Sequence, residues 1–205
     1  LMTPSSQTMR SPTIPARFKD EDDPDGDAVV FSERLGRKPG LLYLHGGLHL
    51  FLAKGDLKKR CWSRTHTPLI ELIRAGLEDE EYPLFVAEGE PESKLRQIQR
   101  VGYLWYVLDK LARVSSPLVV YGHSLGPSDQ HIVDALVKNF RLSKIFLGVY
   151  GDEESDAFHT GSVTAGSLRD QRDAYADRWG RRKGSLEVVL FDSRTAGVWE
   201  ESSSN

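Results

Sequence analysis

Cysteine is almost absent: Cys61 stands alone among 205 residues. That excludes a disulfide framework and any zinc module built from several thiolates. No apolar run approaches the roughly 18 residues of a membrane-spanning helix. Neither sign of charge dominates, since 27 basic residues face 30 acidic ones for a net charge of -3. A broad basic field that would invite nucleic acid is therefore not expected. The first residues lack the basic and then apolar pattern of a secretory signal. Together these absences point to a cytoplasmic setting with no membrane and no nucleic acid as partner.

What is present fits a globular protein: 39% hydrophobic and 28% charged residues. The length suffices for one domain with its own core, without staples. Residues 1–28 hold four prolines, few apolar side chains and an acidic cluster over 20–27. Such a segment buries too little surface to offset its ordering entropy, so a disordered or irregular lead-in is expected. Residues 29–195 read as a single α/β domain and 196–205 as a frayed tail.

Within that span, strand and helix patterns alternate. Short apolar runs at 41–45, 83–89, 117–122, 144–151 and 185–192 read as buried strands. Helical periodicity falls over 67–77, where Leu69, Leu72, Ile73 and Leu77 share a face behind Thr67 and Pro68. Further helices are expected over 92–100, 103–114, 127–140 and 168–182, the last polar and surface-lying. Tyr103, Trp105 and Tyr106 read as core aromatics. Continuous apolar strands separated by helices imply a three-layer, Rossmann-like parallel sheet covered on both faces. In such sheets ligands bind beyond the carboxyl ends of the strands. That rule directs attention to His45-Gly46-Gly47, Glu88-Gly89, the Gly122 to Gly126 stretch and Gly151-Asp152.

Gly122-His123-Ser124-Leu125-Gly126 matches the G-x-S-x-G nucleophile elbow of α/β-hydrolases, between a strand and a helix. Leu44-His45-Gly46-Gly47 resembles the H-G-G oxyanion loop that supplies backbone donors. Against acyl transfer, only His131 and His159 follow Ser124, and neither stands on a strand-end loop with a separate acid before it. A serine esterase using Ser124 is therefore the second reading. A catalytically inactive module that binds a partner through its sheet is the third.

The first reading comes from a resemblance. The string at 41–51, the PLFVAEG run with Lys94 and Tyr103-Leu104 after it, and LVVYGHSLGPSDQHI over 118–132 resemble a bacterial family of uncharacterised proteins. That family is itself similar to sirtuin-like, NAD-consuming domains. The resemblance covers roughly residues 41–152. It implies a sirtuin-like Rossmann sheet with NAD as ligand or substrate. His45 would be the general base on the nicotinamide ribose, a role its ordinary pKa suits. Gly46, Gly122, Ser124 and Leu125 would contact ribose and phosphates, with Ser124 also counted as catalytic. Asp152 would accept from the adenosine ribose hydroxyls. The glycine-rich turn that opens such domains has no counterpart before Leu41, so the chain resembles their C-terminal portion. An upstream segment or a partner chain is expected to complete the site.

Other residues draw plainer readings. His45 and His49 are four apart, but Gly46-Gly47 argue against the helix that would align them, so no metal site is expected. Lys54, Lys58, Lys59 and Arg60 beside Trp62 read as a solvated face. Arg181, Arg182 and Lys183 read as cations at a helix end. Glu88 and Lys94 are expected to pair.

Overall fold

The computed structural model describes residues 17–19, 28–32, 41–53, 56–61, 66–115, 117–181 and 185–197. The chain clusters into two compact units, Leu1–Phe85 and Val86–Asn205. Lys54, Trp62, Arg182 and Lys183 lie outside the described residues, as do 1–16 and 20–27 of the expected lead-in.

The N-terminal unit is an antiparallel sheet with one helix packed on it. Its strands are β1 (Arg17–Lys19), β2 (Ala28–Ser32), β3 (Gly46–Ala53), β4 (Asp56–Arg60) and β5 (Pro83–Phe85), in spatial order β1-β2-β4-β3-β5. β3 and β4 pair with Leu50 opposite Lys59 and Leu52 opposite Leu57. Leu50, Phe51 and Leu57 are buried. Helix α1 (Leu69–Glu78) forms where its apolar stripe predicts. Gly76 lets it lie close, since a methyl group there would stand 3.1 Å from both the Phe51 ring and the Arg60 guanidinium. α1 closes with Glu80 in the left-handed region and the Glu81 N–H on the Gly76 carbonyl.

This corrects the expectation of parallel strands near 41 and 83. Residues 41–45 form an irregular segment and a turn, the strand starts at Gly46, and it runs antiparallel to β5. The reason is local. Gly46 has φ +76, and a Cβ there would fall 2.1 Å from the Leu84 carbonyl oxygen. The basic cluster is likewise part of the sheet: Arg60 pairs with Glu81 and lies over the Phe51 ring, and Lys59 lies over the Tyr43 ring.

The C-terminal unit is α/β. Helices α2 (Pro91–Arg100) and α3 (Gly102–Leu111) precede β6 (Leu118–Val120). A short 3-10 turn, Pro127–Asp129, leads into α4 (Gln130–Val137). Then follow β7 (Lys144–Val149), α5 (Asp156–Arg178), β8 (Glu187–Asp192) and a 3-10 turn, Ser193–Ala196. The three strands are parallel in the order β6-β7-β8, with Val119 opposite Phe146 and Leu147 opposite Leu190. Central β7 buries Ile145, Leu147 and Val149, as an interior parallel strand should. The α/β expectation thus stands in its coarse form, with a parallel part of three strands. Among the described residues, five α-helices form, and none is long and apolar enough to cross a membrane.

Helix α5 is 23 residues long and begins well before the expected 168. Its first half is rich in Gly, Ser and Thr and shows no apolar stripe, so periodicity misses it. The Ser155 hydroxyl caps it by accepting from the Phe158 N–H. Packing accounts for Gly161: a methyl group there would stand 2.5 Å from Val149 Cγ1. The helix ends before Gly180 (φ +58), with the Arg181 N–H on the Ala176 carbonyl. Nor is it wholly surface-lying. Arg172 is buried and donates to the carbonyls of Leu136, Asn139 and Leu142, in the last turn of α4 and the segment after it. Asn139, also buried, donates to the Val114 carbonyl after α3. Of the three expected core aromatics, Tyr103 is buried, but Trp105 is 45% exposed.

Two glycines of α5 give opposite predictions. Gly161→Ala forces its new methyl group into β7 and is expected to cost about 1–3 kcal/mol. At Gly166 a methyl group meets nothing within 4 Å, so Gly166→Ala is expected to stabilise by about 1 kcal/mol. Urea unfolding of the two variants reads the signs directly.

In the N-terminal unit, His49 stacks edge-on against Tyr43, with ring centroids 4.6 Å apart. Burial, and secondarily the Lys59 charge, hold its pKa below the ordinary 6.5. Below that pH the unfolded chain takes up a proton that the folded chain refuses, so stability falls as pH drops through this range. His49→Gln is expected to flatten the dependence, measured as unfolding midpoints at about pH 7.5 and about pH 5.5.

Candidate functional site

All three parallel strands of the C-terminal unit end at one cavity of about 640 Å³. Tyr121, Gly122, His123 and Ser124 line it from the loop after β6, and Leu147 to Tyr150 from the end of β7. Ala157, Thr160, Gly161 and Thr164 come from the first half of α5, and Ser193 from the turn after β8. Its volume lies within the range of small-molecule sites, and its place is where ligands bind in open α/β sheets. Aliphatic side chains share the lining with the rings of Tyr121, His123 and Tyr150 and with Ser124, Thr160, Thr164 and Ser193. Among the described residues, no Lys or Arg lines it.

The loop after β6 is held by a relay of charged groups. Gly122 and Leu125 take left-handed backbone angles, φ +68 and +51. Leu125 is a non-glycine residue in that region, a strained position that its surroundings must enforce. Its side chain is buried, and its N–H donates to His123 Nδ1 at 2.9 Å. His123 Nε2 faces Asp129 Oδ2 at 3.3 Å. An imidazole that accepts at Nδ1 carries its proton on Nε2, so that N–H points at the carboxylate. Asp129 Oδ1 in turn accepts from Lys94 Nζ at 3.0 Å, and Glu88 Oε2 accepts from the same ammonium at 3.1 Å. Lys94 is 2% exposed. Burial alone would lower its pKa, but hydrogen bonds and charge from Asp129 and Glu88 outweigh that and hold it above the ordinary value.

This geometry bears on Ser124. Its immediate neighbour His123 has both ring nitrogens engaged, so it has no lone pair left to accept the serine proton. The strained residue of the loop is Leu125, not the serine, unlike a nucleophile elbow. His159 stands exposed on α5, and His131 is buried in α4.

On either side of Ser193, Asp192 and Arg194 form a bidentate pair. Hydrogen bonds from Arg194, its charge and a Gly151 N–H hold the Asp192 pKa down to about 2 against its burial. Arg194 also lies 3.8 Å from Asp152 and 5.9 Å from the centre of the Tyr150 ring.

Of the residues singled out in the sequence, Gly122 and Ser124 line the cavity, Leu125 anchors their loop, and Asp152 is exposed beside Arg194. His45 and Gly46 belong to the N-terminal unit: His45 is half-buried in the turn that opens β3, and Gly46 sits against β5. The Glu88–Lys94 pair forms as expected. Asp129, 35 residues from Lys94 in sequence, was not foreseen as its second partner. The Thr160 and Thr164 wall was missed with the first half of α5.

Removing Lys94 leaves Asp129 part-buried without its cation. Lys94→Met is expected to cost about 3–5 kcal/mol. Glu88→Gln, at an exposed carboxylate, is expected to cost under about 1 kcal/mol. Denaturant unfolding of both variants separates the buried half of the pair from the exposed half.

No curated protein and no solved structure matches the chain. A family model does, across residues 7–199, and by that match the chain belongs to the family described as Domain of unknown function (DUF4917).

Proposed function

We propose that the chain is a nucleotide-binding protein, with NAD as the ligand, and that the cavity at the carboxyl ends of β6, β7 and β8 is its pocket. The observation that carries this reading is the convergence of three parallel strand ends on one cavity with the Gly122 to Ser124 backbone in its wall. Glycine allows a ligand to approach the main chain closely. The hydroxyls of Ser124, Thr160, Thr164 and Ser193 supply donors and acceptors suited to a ribose and an amide-bearing ring. The sequence resemblance to sirtuin-like domains supports the same ligand, and from that resemblance alone comes the proposal that the intact protein cleaves the nicotinamide–ribose bond. His45 as general base on the ribose, with Gly46 beside it, rests on the same footing.

Acyl transfer by Ser124 is the weaker reading, because its neighbouring imidazole is engaged at both nitrogens. Saturation-transfer NMR and calorimetry with NAD test the proposal. Binding is expected, and Ser124→Ala should weaken it by roughly threefold to tenfold, the loss of one hydrogen bond. No NAD binding would overturn the reading. In an NAD-cleavage assay of the full protein, unchanged turnover in His45→Ala would remove that residue's role. A fluorophosphonate probe should leave Ser124 unlabelled; labelling lost in Ser124→Ala would favour the esterase instead.

A further inference from the structure

The C-terminal unit holds a second cavity, of about 470 Å³, which shares no lining residue with the strand-end cavity. It lies where α3 and α4 end and where the chain leaves α5, and Arg113, Lys138, Arg141 and Arg181 line it. Among the described residues of its lining, Asp109 is the one carboxylate. Asp109 holds Arg113, and Asp134 holds Lys138, each from four residues earlier. Arg141 and Arg181 are exposed, and among the described residues no carboxylate pairs with either. Cations at helix ends ordinarily meet the last carbonyls. Here the carbonyls of Leu136, Asn139 and Leu142 accept from buried Arg172, and that of Val114 accepts from buried Asn139. Among the described residues, none of the four lining cations donates to a main-chain carbonyl through its side chain.

We infer that this cavity is a second binding site, for the phosphate of a small molecule carrying at least two negative charges, with Arg141 and Arg181 as the receiving residues. Four cations and the two carboxylates that hold two of them leave two positive charges at one cavity. Those charges repel each other, and a dianion relieves the repulsion. The planar fork of a guanidinium matches two phosphate oxygens at once. Arg181 is also set in place beforehand: it lies over the Phe140 ring, 5.5 Å from its centre, and Phe140 itself lines the cavity. A side chain already held by a ring loses less freedom when a ligand arrives. The volume admits a small molecule and not the phosphate ion alone. A single concave cavity on a chain of net charge -3 fits such a ligand better than a nucleic acid, which needs an extended basic face. The site is independent of the nucleotide reading, since it lies apart from the strand-end cavity.

Calorimetry of the full chain with inorganic pyrophosphate at low ionic strength is the test, beside the double variant R141Q/R181Q. Saturable binding is expected, weakened by about tenfold or more in the double variant and falling as salt is added. R141K/R181K keeps the charge but loses the fork, so it should recover only part of the affinity. Ribose 5-phosphate is expected to bind and ribose not. Circular dichroism checks that the variants fold. Should the double variant unfold, R141Q alone gives the same reading at about threefold. Absence of pyrophosphate binding would overturn the inference. So would binding that R141Q/R181Q leaves within about twofold, since the ion would then sit elsewhere, an adventitious ion only. A single-stranded oligonucleotide is the last arm. If it bound more tightly than pyrophosphate and lost that binding in the double variant, the small-molecule class would be overturned in favour of a nucleic-acid backbone.

Discussion

A single buried ammonium sets the geometry of the candidate site. Lys94 is withdrawn from water, and an uncompensated charge there would be costly, so it must be met by carboxylates. Glu88 is supplied from just before its own helix, and Asp129 from the turn that precedes α4. The other oxygen of Asp129 faces His123 Nε2, and His123 Nδ1 accepts from the Leu125 amide. The strained left-handed turn at Leu125 is thus held at the end of a chain of interactions that begins with Lys94. The links run from the buried ammonium to the strand-end loop that lines the cavity.

A second constraint shapes the opposite wall. Helix α5 comes close to β7 because Gly161 has no side chain to hold it off. Its Thr160 and Thr164 face the cavity from that position. Further along the same helix, Arg172 turns inward and ties three main-chain carbonyls at the end of α4. A guanidinium suits this task because its several N–H donors spread over a plane can satisfy acceptors from different residues at once. One helix therefore both closes the cavity and completes a neighbouring helix end, with small residues in its first half and a buried cation in its second.

Local signals carried much of the architecture. The periodicity of 67–77, the helical pattern of 92–100 and the apolar runs at 117, 144 and 185 each state their own element, because one face or both must be buried. The Gly122 and Ser124 stretch was legible as a strand-end loop, and Glu88 with Lys94 as a pair, since both signals lie within a few residues. Orientation was not legible. An apolar run reads the same in a parallel or an antiparallel sheet, and only the pairing of Gly46 with Phe85 and Phe51 with Pro83 shows that β3 and β5 run oppositely. The first half of α5 was invisible for a related reason: Gly161 is dictated by the close pass of β7, and the glycines and hydroxyls around it give no apolar stripe to read.

The sequence by itself determined the chemical character of the chain. Its single cysteine excludes a disulfide framework, its balanced charge gives no basic field, and its alternating apolar segments require mixed α/β structure. It also marked the backbone turn at Gly122 to Leu125, because glycine beside a small polar residue after a strand has few other uses. Tertiary structure alone decided which groups meet. Asp129 reaches Lys94 across 35 residues, Arg172 reaches Leu136 across 36, and the threonines of α5 join Ser124 around one cavity. Such meetings depend on how elements pack in three dimensions. A buried charge states that it needs a partner, but only the fold says which residue stands close enough to serve.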